Sequence, residues 1–465
     1  MTGAVNTYSV FTRHTKALIV AMASGAAFIG PFGVNIYLPT LPLLAKDLDM
    51  DAARIMISVT VYMVVQGLAP PLWGPLSDSF GRRPIVLVNL VIASVASLGL
   101  AFTHAYWLLL VLRMVQAFGA TSAVAICAGI ISDIAQMHER GSYMGYYAFG
   151  LFFGPAIGPL IGGALSQGWG WHAPFFFLAA FIGLFALVYA AVMPETLRAL
   201  VGNGDQRPSA LYRPFLPVVR RTVPLGAPME SPFSRKLDLG LIEPWRVFLQ
   251  LDIALAIVMY SCLNTGYYMA LSSFSNLLQD VYALSQIQIG LSFISSGVGC
   301  MAGSLVSGKL LDKMFVREVA RTQGNYDIFR ARLRLALPFL LFFCAFTVGY
   351  GWSMSAETHI SGPIILQFFV GFFCMFSFTS FSALIVDLYT RKSASVMSSL
   401  NIGRSLMSAG GVAAVQPLIN AIGAGWTFTL VGGVTAVLSI IIWLFLWVYG
   451  AQYVRARKAA AAAAD

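Results

Sequence analysis

Two arginines stand inside apolar runs: Arg113 in Leu110-Val-Leu-Arg-Met-Val-Gln-Ala-Phe-Gly119, and Arg404 in Asn401-Ile-Gly-Arg404. A guanidinium stays charged in a protein, and at the centre of a bilayer it costs roughly 2.5–3.5 kcal/mol on insertion scales. Each therefore needs a cavity or a partner. The 19 acidic residues all read as loop, helix-end or C-terminal positions, with Asp133, Asp280 and Asp387 closest to the apolar runs, and the five histidines also lie outside mid-membrane positions. An arginine without a carboxylate at its own depth favours an anionic ligand, because the planar guanidinium fork fits a carboxylate bidentately. The alternative is that each arginine is satisfied by backbone carbonyls or a neighbouring amide. Asn35, Gln66, Gln116, Asn264, Tyr267, Tyr268, Gln367 and Asn401 are candidate orienting groups, or else glue between helices. No zinc-protease helix, nucleophile elbow, phosphate loop or His/Cys spacing is present, so no catalytic residue, metal or cofactor is expected and an enzyme is disfavoured.

The elements that must position these side chains are membrane helices. Of 465 residues, 58% are hydrophobic and only 10% charged, and mean hydropathy is +0.77. Soluble proteins carry about 25% charged residues. The apolar runs place spans at 17–43, 55–77, 85–103, 106–134, 143–166, 173–193, 250–279, 286–308, 335–355, 361–388, 393–419 and 426–449. The fold class is an all-α polytopic membrane protein with twelve transmembrane helices. The basic, Pro-rich stretch 195–246 is too polar to span. It divides residues 1–194 from 247–450, with a basic tail at 451–465.

Of the 29 Lys and Arg, all but Lys46, Arg54, Arg113 and Arg404 fall in the termini or in alternate loops. The positive-inside rule makes those segments, and both termini, cytoplasmic. The net charge of +10 is thus a topology signal that needs no nucleic acid. The partners expected are the lipid bilayer and a small-molecule substrate, with the chain acting as a monomer. The five cysteines lie in apolar runs and show no disulfide framework.

Between spans 2 and 3 lies Gly74-Pro-Leu-Ser-Asp78-Ser-Phe-Gly81-Arg82-Arg83-Pro84, read as a turn of about six residues. Weak echoes join the halves: Gly74-Pro-Leu-Ser-Asp78 matches Gly308-Lys-Leu-Leu-Asp312, and Asp133 matches Asp387 at the ends of spans 4 and 10. Such echoes suit two parallel six-helix repeats. Asp78, Arg82, Arg83, Asp133, Glu139 and Arg140 are read as a charge network that locks one state of an alternating-access cycle and breaks in the other. In span 5, Gly150, Gly154, Gly158 and Gly162 make a smooth face, with Pro155 and Pro159 bending the axis.

The pattern Gly-x-Leu-x-Asp-x-x-Gly-Arg-Arg-Pro resembles the signature loop of major facilitator superfamily transporters. Gly154-Pro155-x-x-Gly158 resembles the antiporter signature of their exporter branch. Together with Val61–Pro70, Pro194-Glu-Thr-Leu-Arg198 and Val386-Asp-Leu-Tyr389, the chain is similar to the fungal drug:proton antiporter group with twelve spans. Within that group it is similar to quinidine-resistance pumps and fungal citrate exporters. The resemblance implies efflux across the plasma membrane, either of lipophilic drugs or of di- and tricarboxylates such as itaconate or citrate, and proton coupling. Where citrate-exporter-like relatives read Asn-Asn-x-x-Arg, this chain reads Leu400-Asn401-Ile-Gly-Arg404, one amide fewer. No Asp, Glu or His at mid-span offers itself as the proton carrier, and export of an anion driven by the membrane potential is the alternative.

Overall fold

A computed structural model describes residues 9–206, 209, 212–216, 220, 243–321, 336–388 and 393–462. Its helices are α1 (Arg13–Asn35), α2 (Leu41–Asp47), α3 (Ala52–Phe80), α4 (Arg82–Ala101), α5 (Tyr106–Ala120), α6 (Ala123–Ile134), α7 (Met137–Trp169), α8 (Ala173–Val192), α9 (Arg198–Val201), α10 (Glu243–Val247), α11 (Leu251–Tyr282), α12 (Gln286–Arg321), α13 (Ala336–Ser355), α14 (Ser361–Leu388) and α15 (Ser393–Ala462). Eleven helical stretches among the described residues are long and apolar enough to cross a membrane. The last of them, Val396–Gly450, holds 55 residues and breaks at Gly423, where φ is 77° and ψ is 165°. A span needs about 20 residues, so each side of the break suffices for one and the spans number twelve among the described residues.

Local chemistry sets the helix ends. The Thr12 hydroxyl accepts the Thr15 N–H at 3.4 Å, the N-cap arrangement, and Pro42 sits in the first turn of α2 where no N–H is missed. The fourth span is one apolar stretch, Tyr106–Ile134, as the sequence reads it, with α5 and α6 divided at Thr121–Ser122, whose φ/ψ stay right-handed helical. One expectation changes. The turn between spans 2 and 3 is not six residues long but a single non-helical residue, Gly81, at φ +103°. Helix α3 runs on to Phe80 despite Pro70, Pro71 and Pro75, and α4 starts at once.

The chain forms two compact units. The first comprises Met1–Tyr37, Leu68–Gly158 and Gly168–Gly240; the second comprises Leu38–Gly67, Pro159–Gln167 and Leu241–Asp465. In the first, the α7 glycine face lies on α1. A Cβ at Gly150 would come 3.1 Å from Ser24, one at Gly154 2.9 Å from the Phe32 backbone nitrogen, and one at Gly158 3.1 Å from that of Ile36. The four-residue spacing is therefore a helix-packing device. In the second unit, α12 and α14 approach as closely at Gly299 and Gly303, and α3 meets α15 where Gly67 faces Ser405 and Ile402. All five cysteines are free and buried.

Candidate functional site

The structure separates the polar candidates by burial. Arg113, in α5, is fully buried. Its Nη1 donates to Gln116 Oε1 at 2.7 Å and to the Gly33 carbonyl at 3.4 Å, and the guanidinium lies 4.3 Å from the centre of the Tyr37 ring. Gln116 in turn donates to Ser97 at 2.8 Å. Two hydrogen bonds from Nη1 and a ring face offset part of the cost of taking this cation out of water, while Nε and Nη2 are closed to solvent. Asn35, also buried, donates to the Pro31 carbonyl of its own helix at 2.7 Å.

Arg404, in α15 of the second unit, is only half-buried. Its Nε donates to Asn401 Oδ1 at 2.8 Å, a contact one helical turn away, and the Tyr268 phenol of α11 lies beside the guanidinium. Asn401, Tyr268 and Phe378 are half-buried like Arg404. Behind them Tyr260 donates to Asn264 at 3.2 Å, which donates to Ser408 at 2.8 Å, tying α11 to α15. The Tyr260 ring lies 5.4 Å from Phe378 and the Tyr268 ring 5.3 Å from Tyr267, whose hydroxyl reaches Ser296 at 3.2 Å. The ion pairs Lys16–Glu139, Arg82–Asp78 and Arg82–Asp133 all lie elsewhere. Gln66 Oε1 and both amide atoms of the fully buried Gln367 are closed to solvent and have no hydrogen-bond partner. Asn264, Tyr267 and Gln367 are thus part of the packing, whereas Arg404, Asn401, Tyr268 and Gln66 keep exposed surface.

The charged residues where α3 meets α4 fall into separate groups. Arg82 bridges Asp78 at 2.6 Å and Asp133 at 3.3 Å and donates to Ser77 at 2.8 Å. Its guanidinium rests on Gly129, where a Cβ would come within 2.9 Å. Arg83 is buried and donates to the Ala190 carbonyl at 2.7 Å. Glu139 pairs instead with Lys16, at 2.7 Å. The Arg140, Asp312 and Asp387 side chains lie outside the described residues. A Cβ at Gly74 would meet nothing within 4 Å.

Sequence reasoning missed the centre of this arrangement. Glu195 is buried beneath Gly81, and its carboxylate accepts the backbone N–H groups of Arg82, Arg83, Thr196 and Leu197 at 2.9–3.1 Å. A side chain at Gly81 would strike Glu195 and Tyr212, and Tyr212 donates to the Phe80 carbonyl at 2.9 Å. An acid capping the N-terminus of α4 satisfies orphan donors and the helix dipole. Burial nonetheless pushes the Glu195 carboxyl above its usual range, against the pull of those four N–H groups. Arg198 donates to the Asp133 carbonyl at 2.8 Å. The available signal was Pro194-Glu-Thr-Leu-Arg198, an acid directly after a span.

The model of the Major Facilitator Superfamily matches residues 23–409. The chain belongs to that family. This transporter is 34% identical to Citrate exporter 1 of Aspergillus niger over 97% of its own length and 89% of the relative's. It is 30% identical to the MFS antiporter QDR2 of Candida albicans (92% and 87% covered), and 31% to the Multidrug transporter AQR1 of Candida glabrata (94% and 77%). Its fold matches the human organic anion transporter MFSD10, with a TM-score of 0.61 at 16% identity over 92% of this chain and 99% of that one. It also matches the xylose transporter XylE of E. coli, with a TM-score of 0.64 at 13% identity over 94% and 98%. The transporter is therefore an integral membrane protein that moves a small molecule.

Proposed function

We propose that this transporter exports small organic acid anions by alternating access, as a monomer in the plasma membrane with both termini cytoplasmic. The observation that carries the reading is Arg404: a half-buried arginine on a membrane helix, held by Asn401 and beside Tyr268, with no described carboxylate in ion-pair range. Such a group is placed to accept a carboxylate. Similarity to a citrate exporter supports the anion class. The membrane potential supplies about 2.3 kcal/mol per charge per 100 mV and drives an anion out of a cell that is negative inside. Proton coupling is the alternative drive, with Asp133 and Asp280 as the described carboxylates nearest the apolar runs. The Asp78–Arg82–Asp133 group serves as the state-dependent lock.

A second reading, efflux of lipophilic or cationic drugs, is favoured by the similarity to QDR2 and AQR1 and by the aromatic rings of α11 and α14. Export measured from cells expressing wild type or Arg404→Ala, with carboxylates beside quinidine, separates the two. Carboxylate export that Arg404→Ala abolishes at unchanged surface level supports the proposal. Quinidine resistance without carboxylate export overturns it.

A further inference from the structure

The two intramembrane arginines do not offer the same thing to a ligand. Arg113 is fully buried and already engaged by Gln116, the Gly33 carbonyl and the face of Tyr37. Its amide partner Gln116 is buried as well. Arg404 keeps accessible surface, and so do Asn401, which accepts from its Nε, Tyr268, whose phenol lies beside it, and Phe378, whose ring packs against that of Tyr260. The half-buried side chains at Arg404 are therefore one cation, one amide and one phenol, with the Phe378 phenyl ring on the neighbouring Tyr260. Behind it stand Tyr260, Tyr267 and Phe381, which are buried and aromatic.

We infer that the Arg404 site selects an amphipathic monocarboxylate, one carboxylate carried on an aromatic or alkenyl body, over compact polycarboxylates such as citrate. The inference deepens the organic-anion reading and rests on it. The guanidinium fork takes one carboxylate in a bidentate pair, with Asn401 fixing the plane of the fork. A second and third carboxylate would have to lie against Phe378 and the tyrosine rings. The negative ring faces repel an anion, and desolvation there has no cation to offset it. An apolar body on the same rings gains buried area and stacking. The residue preceding Asn401 is Leu400, which is buried and adds no polar group.

The test is titration calorimetry of the purified full-length transporter at neutral pH with four probes: 3-phenylpropionate, its neutral amide, citrate and quinidine. The expected result is that 3-phenylpropionate binds at least tenfold more tightly than either citrate or the amide. Arg404→Gln should erase the tenfold preference for the acid over its amide, and Arg404→Lys, which keeps the charge but not the fork, should retain part of it. Phe378→Ala should weaken 3-phenylpropionate several-fold while leaving citrate unchanged. Equal or tighter citrate binding overturns the inference and leaves the organic-anion reading intact. Quinidine binding with no carboxylate binding, or no binding of any probe, overturns both.

Discussion

Glu195 holds the first turn of α4 through Arg82, accepting that residue's backbone N–H at 3.0 Å. The Arg82 side chain meanwhile reaches Asp78 and Asp133. One residue thus joins the buried acid below the hairpin to the ion-paired acids at its surface, and the two kinds of contact differ in what they stabilise.

Replacing Glu195 with Ala leaves buried donors without an acceptor, which costs about 1–3 kcal/mol. The purified Glu195→Ala variant should unfold at a clearly lower apparent Tm than wild type, with Glu195→Gln falling between them. The carboxyl titrates above its usual range in the fold. Its stabilisation is therefore complete below the ordinary Glu range and is lost as pH rises through the raised value. The Tm gap between wild type and Glu195→Gln should narrow from acidic to neutral pH. A gap that widens with pH would show that the four N–H groups outweigh burial.

Gly81 cannot accept a side chain cheaply. Its φ of +103° disfavours any other residue, and a Cβ would lie 2.6 Å from Glu195 Oε2. Gly81→Ala should cost about 1–3 kcal/mol, seen as reduced yield of folded protein and a lower Tm. Gly74→Ala meets nothing and should express and transport like wild type. Equal behaviour of the two variants would refute the account.

Asp78 and Asp133 share Arg82 unequally: the Asp78 side chain is 59% exposed and that of Asp133 is 15% exposed. Exposed pairs contribute about 0–1 kcal/mol, whereas a hydrogen bond to a charged group contributes about 1.5–3 kcal/mol. Thermal unfolding of Asp133→Asn should therefore show the larger loss, with Asp78→Asn close to wild type. The reverse order would place the lock at Asp78.

Arg113 and Arg404 should separate in phenotype. Arg113→Ala removes the partner of Gln116 and leaves a void against Tyr37, so the surface level should drop with transport. Arg404→Ala should reach the surface normally and lose export. Fluorescence of tagged protein at the cell surface, measured beside efflux, distinguishes them. Normal surface level for Arg113→Ala with lost export would make it a ligand contact after all.

The sequence by itself determined the membrane class, the twelve spans and the helix-helix face of span 5, because each depends on local composition or on spacing along one helix. Apolar length is read directly by a bilayer, and glycines four apart necessarily share a face. It also found both arginines, since a charge in an apolar run is visible in one dimension. Only the tertiary structure decided which of them is spent. Burial of Arg113 depends on Gly33 of α1 and on Tyr37 just beyond it, and exposure of Arg404 on how α11 packs beside it, so neither follows from its neighbours in the chain. The same holds for Glu195. It lies more than a hundred residues from the hairpin it closes, and backbone N–H groups, its real partners, leave no trace in residue type. A buried carboxylate recognises geometry that every sequence possesses, and only folding brings one particular set of donors to it.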